Sequence, residues 1–425
     1  MACTIMGNQL GATEGKFLRG KKEHARLMIY SHDSFGLGHL RRCRAIAHSL
    51  VGHRKDLSIL ILSGSPIVGS FDFHGRVDFV RIPGVIKLRR GDYTSQNLDI
   101  GINDMLALRA SIIHHTAEAF APDIFLVDKE PLGLRGEVRD TLTMLKARGS
   151  TLVLGLRDVM DEPAKLAREW DRKKAIPALR DLYDHIWVYG PPDICDPLQG
   201  VPVPEAVRQK VTFTGYLRRT WSQATMPAPS IPAIGSQPYL LVTTGGGGDG
   251  ASLIDWVLRA YEHDPQIPHP ALMVLGPFMR TNLQADFMQR EARLENVHAI
   301  TFDAHIESLL AGAAGVVAMG GYNTFCEILS FDKPSIIVPR TVPRLEQYIR
   351  AARAEDLGLA RMLVDDGKCA PHEMAQALRE LPNQSRPSEV HIPGMLDGLS
   401  VVNGLVDQWL NQRTTSAAPL SLVNK

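Results

Sequence analysis

Two glycine-rich turns, roughly two hundred residues apart, constrain the fold more than any other feature of the sequence. The first turn, residues 35–39, follows an apolar run at residues 27–30, and the second, residues 245–250, follows an apolar run at residues 239–244. A turn of this kind between a strand and a helix brings unpaired N–H groups to the helix N-terminus, where an anion is stabilised. One turn in each half predicts two lobes that face a common cleft and bind a phosphorylated or nucleotide-bearing ligand.

Short apolar runs alternate with helical patterns along the rest of the chain. The runs at residues 124–128, 151–156 and 315–319 show no polar alternation, which is typical of parallel strands covered on both faces. Repeated strand–helix units predict an α/β fold with two Rossmann-like, doubly wound domains.

A proline-rich stretch at residues 226–232 interrupts this pattern and predicts an interdomain linker. The length of 425 residues suits two domains better than one core. The predicted order is a flexible N-terminal segment (1–24), an N-terminal Rossmann-like domain (25–219), the linker (220–238), a C-terminal Rossmann-like domain (239–395), a C-terminal helix (396–412) and a flexible tail (413–425).

The composition argues against several kinds of partner. Lys and Arg number 47 and Asp and Glu number 46, so no overall charge attracts nucleic acid or an anionic membrane. The five cysteines are scattered without a C-x-x-C pair, which argues against disulfides or zinc and fits a reducing cytosol. We therefore predict a cytoplasmic protein with no nucleic-acid partner, and leave open peripheral contact with the inner face of the membrane.

The first candidate site in the C-terminal half follows the predicted strand at residues 315–319. Gly320 and Gly321 permit close approach of the backbone to a ligand, and Asn323 or Thr324 could cap the next helix. Glu327 lies in the first turn of that helix, where its carboxylate could accept both hydroxyls of a ribose. It could equally complete a simple capping box, and the local sequence favours neither reading.

A second candidate site lies in residues 339–348, where prolines fix an extended loop before a helix that begins near Leu345. Glu346 and Gln347 at this helix start could hold the hydroxyls of a sugar. By themselves, they are more simply explained as ordinary polar residues at a helix N-terminus.

The order of these parts resembles the C-terminal domain of GT-B glycosyltransferases. It resembles most the group with the bacterial enzyme that transfers N-acetylglucosamine onto the lipid-linked peptidoglycan precursor. The resemblance covers residues 239–353 and implies that this domain binds a UDP-sugar. The residues assigned to the donor diphosphate are Gly38, Gly245, Gly246, Gly247, Gly248 and Asp249, and those assigned to the donor sugar are Gly320, Gly321, Tyr322, Asn323, Thr324, Glu346 and Gln347.

The resemblance also implies that Glu327 binds the ribose and that Phe302 contacts the base. One position departs from the family pattern, because Glu346 stands where the first glutamine of a Gln-Gln pair is usual. A carboxylate accepts hydrogen bonds but donates none, so the preferred donor sugar can differ.

In the N-terminal half, the Gly-Leu-Gly-His sequence at residues 36–39 resembles the glycine-rich loop and histidine that open the same superfamily. A neutral imidazole of His39 at a helix start could remove a proton from a hydroxyl or water, although His39 could also be a helix cap without chemistry. A base needs an orienting partner, and we predict Asp128, at the end of a strand, with Asp158 as the rival.

These features predict a metal-independent, inverting glycosyltransferase without a cofactor. It would move a sugar from a nucleotide-sugar, by prediction a UDP-sugar, to a hydroxyl of a glycan or lipid-linked acceptor in cell-envelope or polysaccharide synthesis. The chain contains no Asp-x-Asp triplet, which marks the metal-dependent alternative fold.

Three alternatives remain. The first is a nucleotide-sugar hydrolase in which the loop histidine activates water, since residues 36–43 also resemble such hydrolases. The second is a non-catalytic, nucleotide-binding partner subunit. A two-step epimerase on the same scaffold is a third, although the acidic cluster it needs is not evident.

Overall fold

The computed structural model describes residues 24–32, 38–87, 93–220, 237–303 and 305–416. Most of the predicted N-terminal segment, Gly36 and its neighbours in the first glycine-rich turn, most of the linker and the end of the tail lie outside the described residues.

A seven-stranded sheet forms the centre of the N-terminal half, in the order β3-β2-β1-β6-β7-β8-β9 with parallel pairing throughout. The strands of this half are β1 (Ala25–Ser31), β2 (Leu57–Ser63), β3 (Val77–Arg81), β4 (Val85–Lys87), β5 (Tyr93–Ser95), β6 (Ile124–Asp128), β7 (Thr151–Arg157), β8 (His185–Tyr189) and β9 (Val211–Phe213). Its helices are α1 (Gly38–His53), α2 (Ile102–Phe120), α3 (Arg139–Ala147), α4 (Pro163–Arg172), α5 (Ala175–Asp181) and α6 (Glu205–Arg208). β4 and β5 form a separate antiparallel pair.

A six-stranded parallel sheet forms the centre of the C-terminal half, in the order β12-β11-β10-β13-β14-β15. Its strands are β10 (Tyr239–Thr243), β11 (Ala271–Val274), β12 (Val297–Ile300), β13 (Ala313–Ala318), β14 (Ser335–Ile337) and β15 (Arg361–Met362). The helices are α7 (Ala251–His263), α8 (Thr281–Glu291), α9 (Ile306–Gly312), α10 (Tyr322–Ser330), α11 (Glu346–Asp356), α12 (Pro371–Glu380) and α13 (Gly398–Ser416). The predicted α/β class with two doubly wound sheets is confirmed.

The strand order explains where a ligand can enter each sheet. In the first sheet the chain proceeds outward from β1 to β3 and then returns to β6 on the other side of β1. In the second it proceeds from β10 to β12 and returns to β13 beside β10. The carboxyl ends of β1 and β6, and of β10 and β13, therefore flank topological switch points, where open α/β sheets bind ligands in a crevice.

The last helix returns to the N-terminal half. In α13, Asn403 donates to the Ser49 hydroxyl of α1 at 3.0 Å, and the Trp409 ring stacks on Trp187 of β8 with ring centroids 5.7 Å apart. The helix continues to Ser416, four residues beyond the predicted bound of 412.

Candidate active site between the two sheets

A cavity of about 250 Å³ lies between the carboxyl ends of the two sheets. We call it the first cavity. Gly245 and Gly246 line it from the C-terminal half, and His39 lines it from the N-terminal half. The other predicted site residues that line it are Gly38, Phe302, Gly321, Tyr322, Asn323, Thr324, Glu327, Glu346 and Gln347. The fold thus brings together candidates that lie more than two hundred residues apart in sequence.

His39 is the second residue of α1 and contacts Asp128, the last residue of β6. The His39 Nδ1 atom is hydrogen-bonded to Asp128 Oδ2. If Nδ1 carries the proton, Nε2 is the unprotonated nitrogen that can accept another. Burial lowers the pKa of His39 below its ordinary value, although Asp128 opposes that shift, so the imidazole is neutral near pH 7.

Asp128 is held as a carboxylate by a second contact. Arg42 of α1 donates to it through Nε at 2.8 Å and through Nη2 at 2.6 Å. Burial alone would raise the pKa of Asp128, but the Arg42 guanidinium and His39 outweigh burial and hold that pKa below its usual range. The arrangement orients His39 while Asp128 remains ionised.

Asp158, the rival partner, takes part in a different contact. It is fully buried and accepts from Arg350 of α11 at 2.6 and 2.7 Å and from the Tyr216 hydroxyl at 2.6 Å. Arg350 also donates to the Gly320 carbonyl at 2.9 Å. Asp158 thus joins the two halves of the chain and does not orient His39.

The second glycine-rich turn follows β10 and leads into α7, whose first residue is Ala251. Gly247 lies against the backbone of Gly276, and Gly248 faces open space. The Asp249 carboxylate accepts a hydrogen bond from Arg340. Gly247, Gly248 and Asp249 lie outside the lining of the first cavity, so the turn reaches that cavity through Gly245 and Gly246.

Glu327 of α10 is buried and pairs with Arg41 of α1, with Nη2 and Oε1 separated by 2.8 Å. The same guanidinium donates to Glu307 of α9 at 2.8 Å. Burial raises the pKa of Glu327, and Arg41 opposes the rise. Glu327 thus faces the cavity with a cation from the opposite domain beside it.

The loop before α11 places Glu346 and Gln347 at the cavity. Glu346 accepts from Arg340 at 2.7 Å, and Gln347 accepts from the Arg340 backbone N–H at 3.1 Å. Burial would raise the pKa of Glu346, but Arg157 and Arg340 lower it, so the carboxylate is charged. The Glu346 side chain thus accepts hydrogen bonds at this position and donates none, as the sequence predicts.

Two residues of α10 make contacts that the sequence did not indicate. Asn323 donates to the Gly38 carbonyl at 2.9 Å and accepts from Arg219 at 3.1 Å. The prediction that Asn323 or Thr324 caps this helix is wrong, because Gly321 is the N-cap residue and no side chain caps it. The Tyr322 ring is buried, with the guanidinium of Arg42 5.3 Å from its centroid.

Phe302 follows β12 and lines the first cavity, and 44% of its surface is exposed. An exposed aromatic ring beside a cavity provides a face on which a planar group can stack. Gly320, with a φ of +74°, does not line the cavity itself; a Cβ there would lie 2.6 Å from Ile337.

A second cavity of about 1160 Å³ adjoins the first on the side of the N-terminal half. His39, Arg157, Arg340 and Glu346 line both cavities. Arg157, the last residue of β7, was not predicted as a site residue; the only signal in the sequence is its place at the end of a strand.

Comparisons with known proteins identify this architecture. Residues 240–390 match the glycosyltransferase family 28 C-terminal domain. A Medicago truncatula protein complexed with UDP-glucose superposes with a TM-score of 0.60 at 14% identity, over 91% of this chain and 99% of that one. The chain has the GT-B fold.

Two further structures agree with this GT-B fold. MurG of Acinetobacter baumannii gives a TM-score of 0.53 at 12% identity, over 90% of this chain and 99% of that one. UDP-GlcNAc 2-epimerase of Neisseria meningitidis bound to UDP-GlcNAc gives a TM-score of 0.57 at 12% identity, over 92% of this chain and 100% of that one. A search of curated proteins found no match.

These findings confirm the predicted GT-B fold and show that residues 240–390 match a glycosyltransferase domain, as the sequence predicts. Within the described ranges, no helix is long and apolar enough to cross a bilayer.

Proposed function

We propose that this GT-B protein transfers a sugar from a UDP-sugar to a hydroxyl acceptor with inversion at the anomeric carbon. The observation that carries the proposal is the position of His39. Its imidazole, bonded to Asp128, lines both cavities, whereas the glycine-rich turn lines only the first. A donor in the first cavity and an acceptor in the second would therefore meet at His39.

The reaction follows from these positions. The acceptor hydroxyl gives its proton to His39 Nε2, and its oxygen bonds to the anomeric carbon from the side opposite the diphosphate. The bond from that carbon to the diphosphate oxygen breaks, and UDP departs with the electron pair. Attack from the opposite side inverts the configuration.

The charge on the departing diphosphate can be stabilised by this chain's own groups. The backbone of Gly245 and Gly246 and the guanidinium groups of Arg41 and Arg340 line the first cavity. Backbone N–H groups and guanidinium groups are effective donors to phosphate oxygens. We therefore propose that the transfer needs neither a metal ion nor a cofactor.

The assignments within the donor site rest on the same geometry. Glu327 would accept hydrogen bonds from the ribose hydroxyls in place of its contact with Arg41. Phe302 would contact the base, and Glu346 and Gln347 would bind the sugar. The structures of other GT-B proteins complexed with UDP-glucose and UDP-GlcNAc support a UDP-sugar as the donor.

The donor class is tested by thermal denaturation in the presence of UDP-, GDP-, dTDP- and CMP-sugars. A ligand that binds only the folded state raises the free energy of unfolding, by about 2.7 kcal/mol at a ligand concentration of about one hundred times Kd. We therefore expect the largest rise in melting temperature with UDP-sugars. Preference for GDP- or CMP-sugars would contradict the proposed donor. Release of free sugar at full rate without acceptor would instead favour the hydrolase.

The turn itself is tested by Gly247→Ala. Gly247 has a φ of +82°, and a Cβ there would lie 2.4 Å from the Leu275 carbonyl oxygen. A left-handed backbone alone costs about 1–2 kcal/mol for an L-residue, and the clash displaces the turn. We expect a lower unfolding free energy and weaker UDP binding in denaturation and calorimetric titration. Gly248→Ala is the matched control, because Gly248 faces open space; equal UDP affinity in the two variants would contradict this role of the turn.

The cellular setting stays a prediction. We propose a cytoplasmic enzyme of cell-envelope or polysaccharide synthesis whose acceptor is a glycan or a lipid-linked glycan, with peripheral contact at the inner face of the membrane. Co-flotation of the protein with phosphatidylglycerol vesicles tests that contact, and a protein that stays entirely in the lower fractions contradicts it.

A further inference from the structure

The second cavity is much more basic than the chain as a whole. Eight cationic and four acidic side chains line it, whereas Lys and Arg exceed Asp and Glu by only one in the full sequence. A concave surface lined by one sign of charge concentrates ligands of the opposite sign.

Two of these cations lie at the ends of adjacent strands. Lys129 directly follows β6, and Arg157 ends β7, which pairs with β6. Their side chains are only 15% and 14% exposed. Two buried cations near each other are unfavourable unless an anion is close.

The carboxylates near these two cations are already bonded to other cations. Glu130 lies 4.0 Å from Lys129 Nζ, beyond hydrogen-bond range, and accepts instead from Lys173 at 2.7 Å. Glu346 lies 3.8 Å from Arg157 and accepts from Arg340 at 2.7 Å. Among the described residues, no group accepts a hydrogen bond from the buried Nε of Arg157. Lys129 and Arg157 thus pair with Glu130 and Glu346 only at 4.0 and 3.8 Å, without a hydrogen bond between the charged groups.

The electrostatic behaviour of Lys129 agrees with this arrangement. Burial, together with repulsion by Arg157 and Arg344, lowers the pKa of Lys129 to about 8. Attraction by Glu130 and Glu346 opposes this shift but does not outweigh it. A bound anion would offset that repulsion.

An anion held by Lys129 would belong to the acceptor and not to the donor. The glycine-rich turn lines the first cavity, whereas Lys129 lines only the second. His39 lines both, so an acceptor whose hydroxyl lies at His39 extends into the second cavity. Three exposed arginines, Arg135, Arg139 and Arg172, line the same cavity.

We propose that the second cavity binds an acceptor through a phosphate ester that lies between Lys129 and Arg157. This inference rests on the proposed function for the identity of the cavity as the acceptor site. A phosphate dianion can accept hydrogen bonds from both cations and adds negative charge between them, whereas a neutral glycan adds none.

Calorimetric titration with glucose 6-phosphate and with glucose tests the proposal, with and without saturating UDP. We expect the wild type to bind glucose 6-phosphate but not glucose. The affinity for glucose 6-phosphate should be at least ~10-fold lower in Lys129→Met and in Arg157→Met, because each variant loses a charge-assisted hydrogen bond. Lys165→Met is the control: Lys165 is an exposed residue of α4 that pairs with Glu162 at 3.6 Å and does not line the cavity, so it should bind like wild type. Equal binding of the two sugars, or unchanged affinity in both cavity variants, would overturn the proposal.

Thermal denaturation gives a readout independent of activity. Inorganic phosphate should raise the melting temperature of the wild type more than that of Lys129→Met, and an equal rise would overturn the proposal. A second titration compares vesicles of phosphatidylcholine with and without phosphatidic acid. Tighter binding of phosphatidic acid vesicles than of glucose 6-phosphate supports a lipid-linked acceptor, and the reverse supports a soluble sugar phosphate.

The outcomes separate this inference from the proposed function. A wild type that binds glucose 6-phosphate but no UDP-sugar contradicts the proposed function and leaves the phosphate site in place. A wild type that binds UDP-sugar but no phosphate ester contradicts only the phosphate site. Loss of UDP binding in Lys129→Met would also overturn the inference, because it would place Lys129 in the donor site.

Discussion

Replacement of His39 by Gln is expected to lower kcat by ~10²–10⁴-fold, the usual contribution of a general base. Glutamine keeps much of the volume of histidine but cannot take up a proton, so binding of UDP should persist. The rate is measured as UDP release with the donor that most stabilises the protein and with phosphorylated and unphosphorylated sugar acceptors.

His48→Gln is the matched control for this variant. His48 lies on the same helix, α1, with its ring stacked on His74 at 3.8 Å between centroids and outside both cavities. It should keep the wild-type rate. A His39→Gln enzyme that turns over normally would contradict the role of His39.

The pH dependence follows from the same residue. Since burial lowers the pKa of His39, its neutral form persists as the pH falls through 6.5, and it is protonated only at lower pH. The acid limb of kcat/KM should therefore lie below pH 6.5. Asp128→Asn should lower kcat without loss of UDP binding, because the amide can stabilise the wrong imidazole tautomer. If Asp128→Asn keeps wild-type turnover, the pairing of His39 with this carboxylate is not catalytic.

Arg350→Met is expected to lower the free energy of unfolding by ~3–5 kcal/mol, because it leaves the fully buried Asp158 without its cation. Two hydrogen bonds of 2.6 and 2.7 Å join these side chains across the two halves. Denaturant unfolding, followed by tryptophan fluorescence and by circular dichroism, measures the loss.

Arg353→Met provides the control on the same helix. Arg353 is exposed, pairs with Asp356 at 3.8 Å and donates to the Asp193 carbonyl at 2.9 Å in an exposed contact, so its loss should cost at most ~1 kcal/mol. Addition of Asp158→Asn to Arg350→Met should recover part of the stability, since it removes the uncompensated charge. If Arg350→Met loses no more unfolding free energy than Arg353→Met, the contact between Arg350 and Asp158 does not stabilise the fold as proposed.

The sequence predicted those site residues that follow directly from strand ends and glycine-rich turns. His39, Asp128, Gly245, Gly246 and Glu327 lie at carboxyl ends of parallel strands or in the helices after them, and such ends meet at one edge of a sheet. Their convergence therefore requires only the α/β pattern and the presence of two lobes.

Other contacts could not be predicted because they depend on how the two halves meet. Asn323 is hydrogen-bonded to Gly38, and Arg350 is hydrogen-bonded to Asp158. Each of these hydrogen bonds joins residues from the two different halves of the chain. Lys129 and Arg157 become neighbours only through the pairing of β6 with β7, and each is an unremarkable cation in its local sequence. The docking of α13 on α1 likewise has no local signal.

A crystal structure of the protein with a bound UDP-sugar would show whether the donor and His39 meet as proposed. We expect the diphosphate to lie within hydrogen-bond distance of the Gly245 and Gly246 backbone, and His39 to face the anomeric carbon from the opposite side. If the phosphates of the UDP-sugar lie between Lys129 and Arg157, or if the anomeric carbon is out of reach of His39, the proposed donor site is wrong.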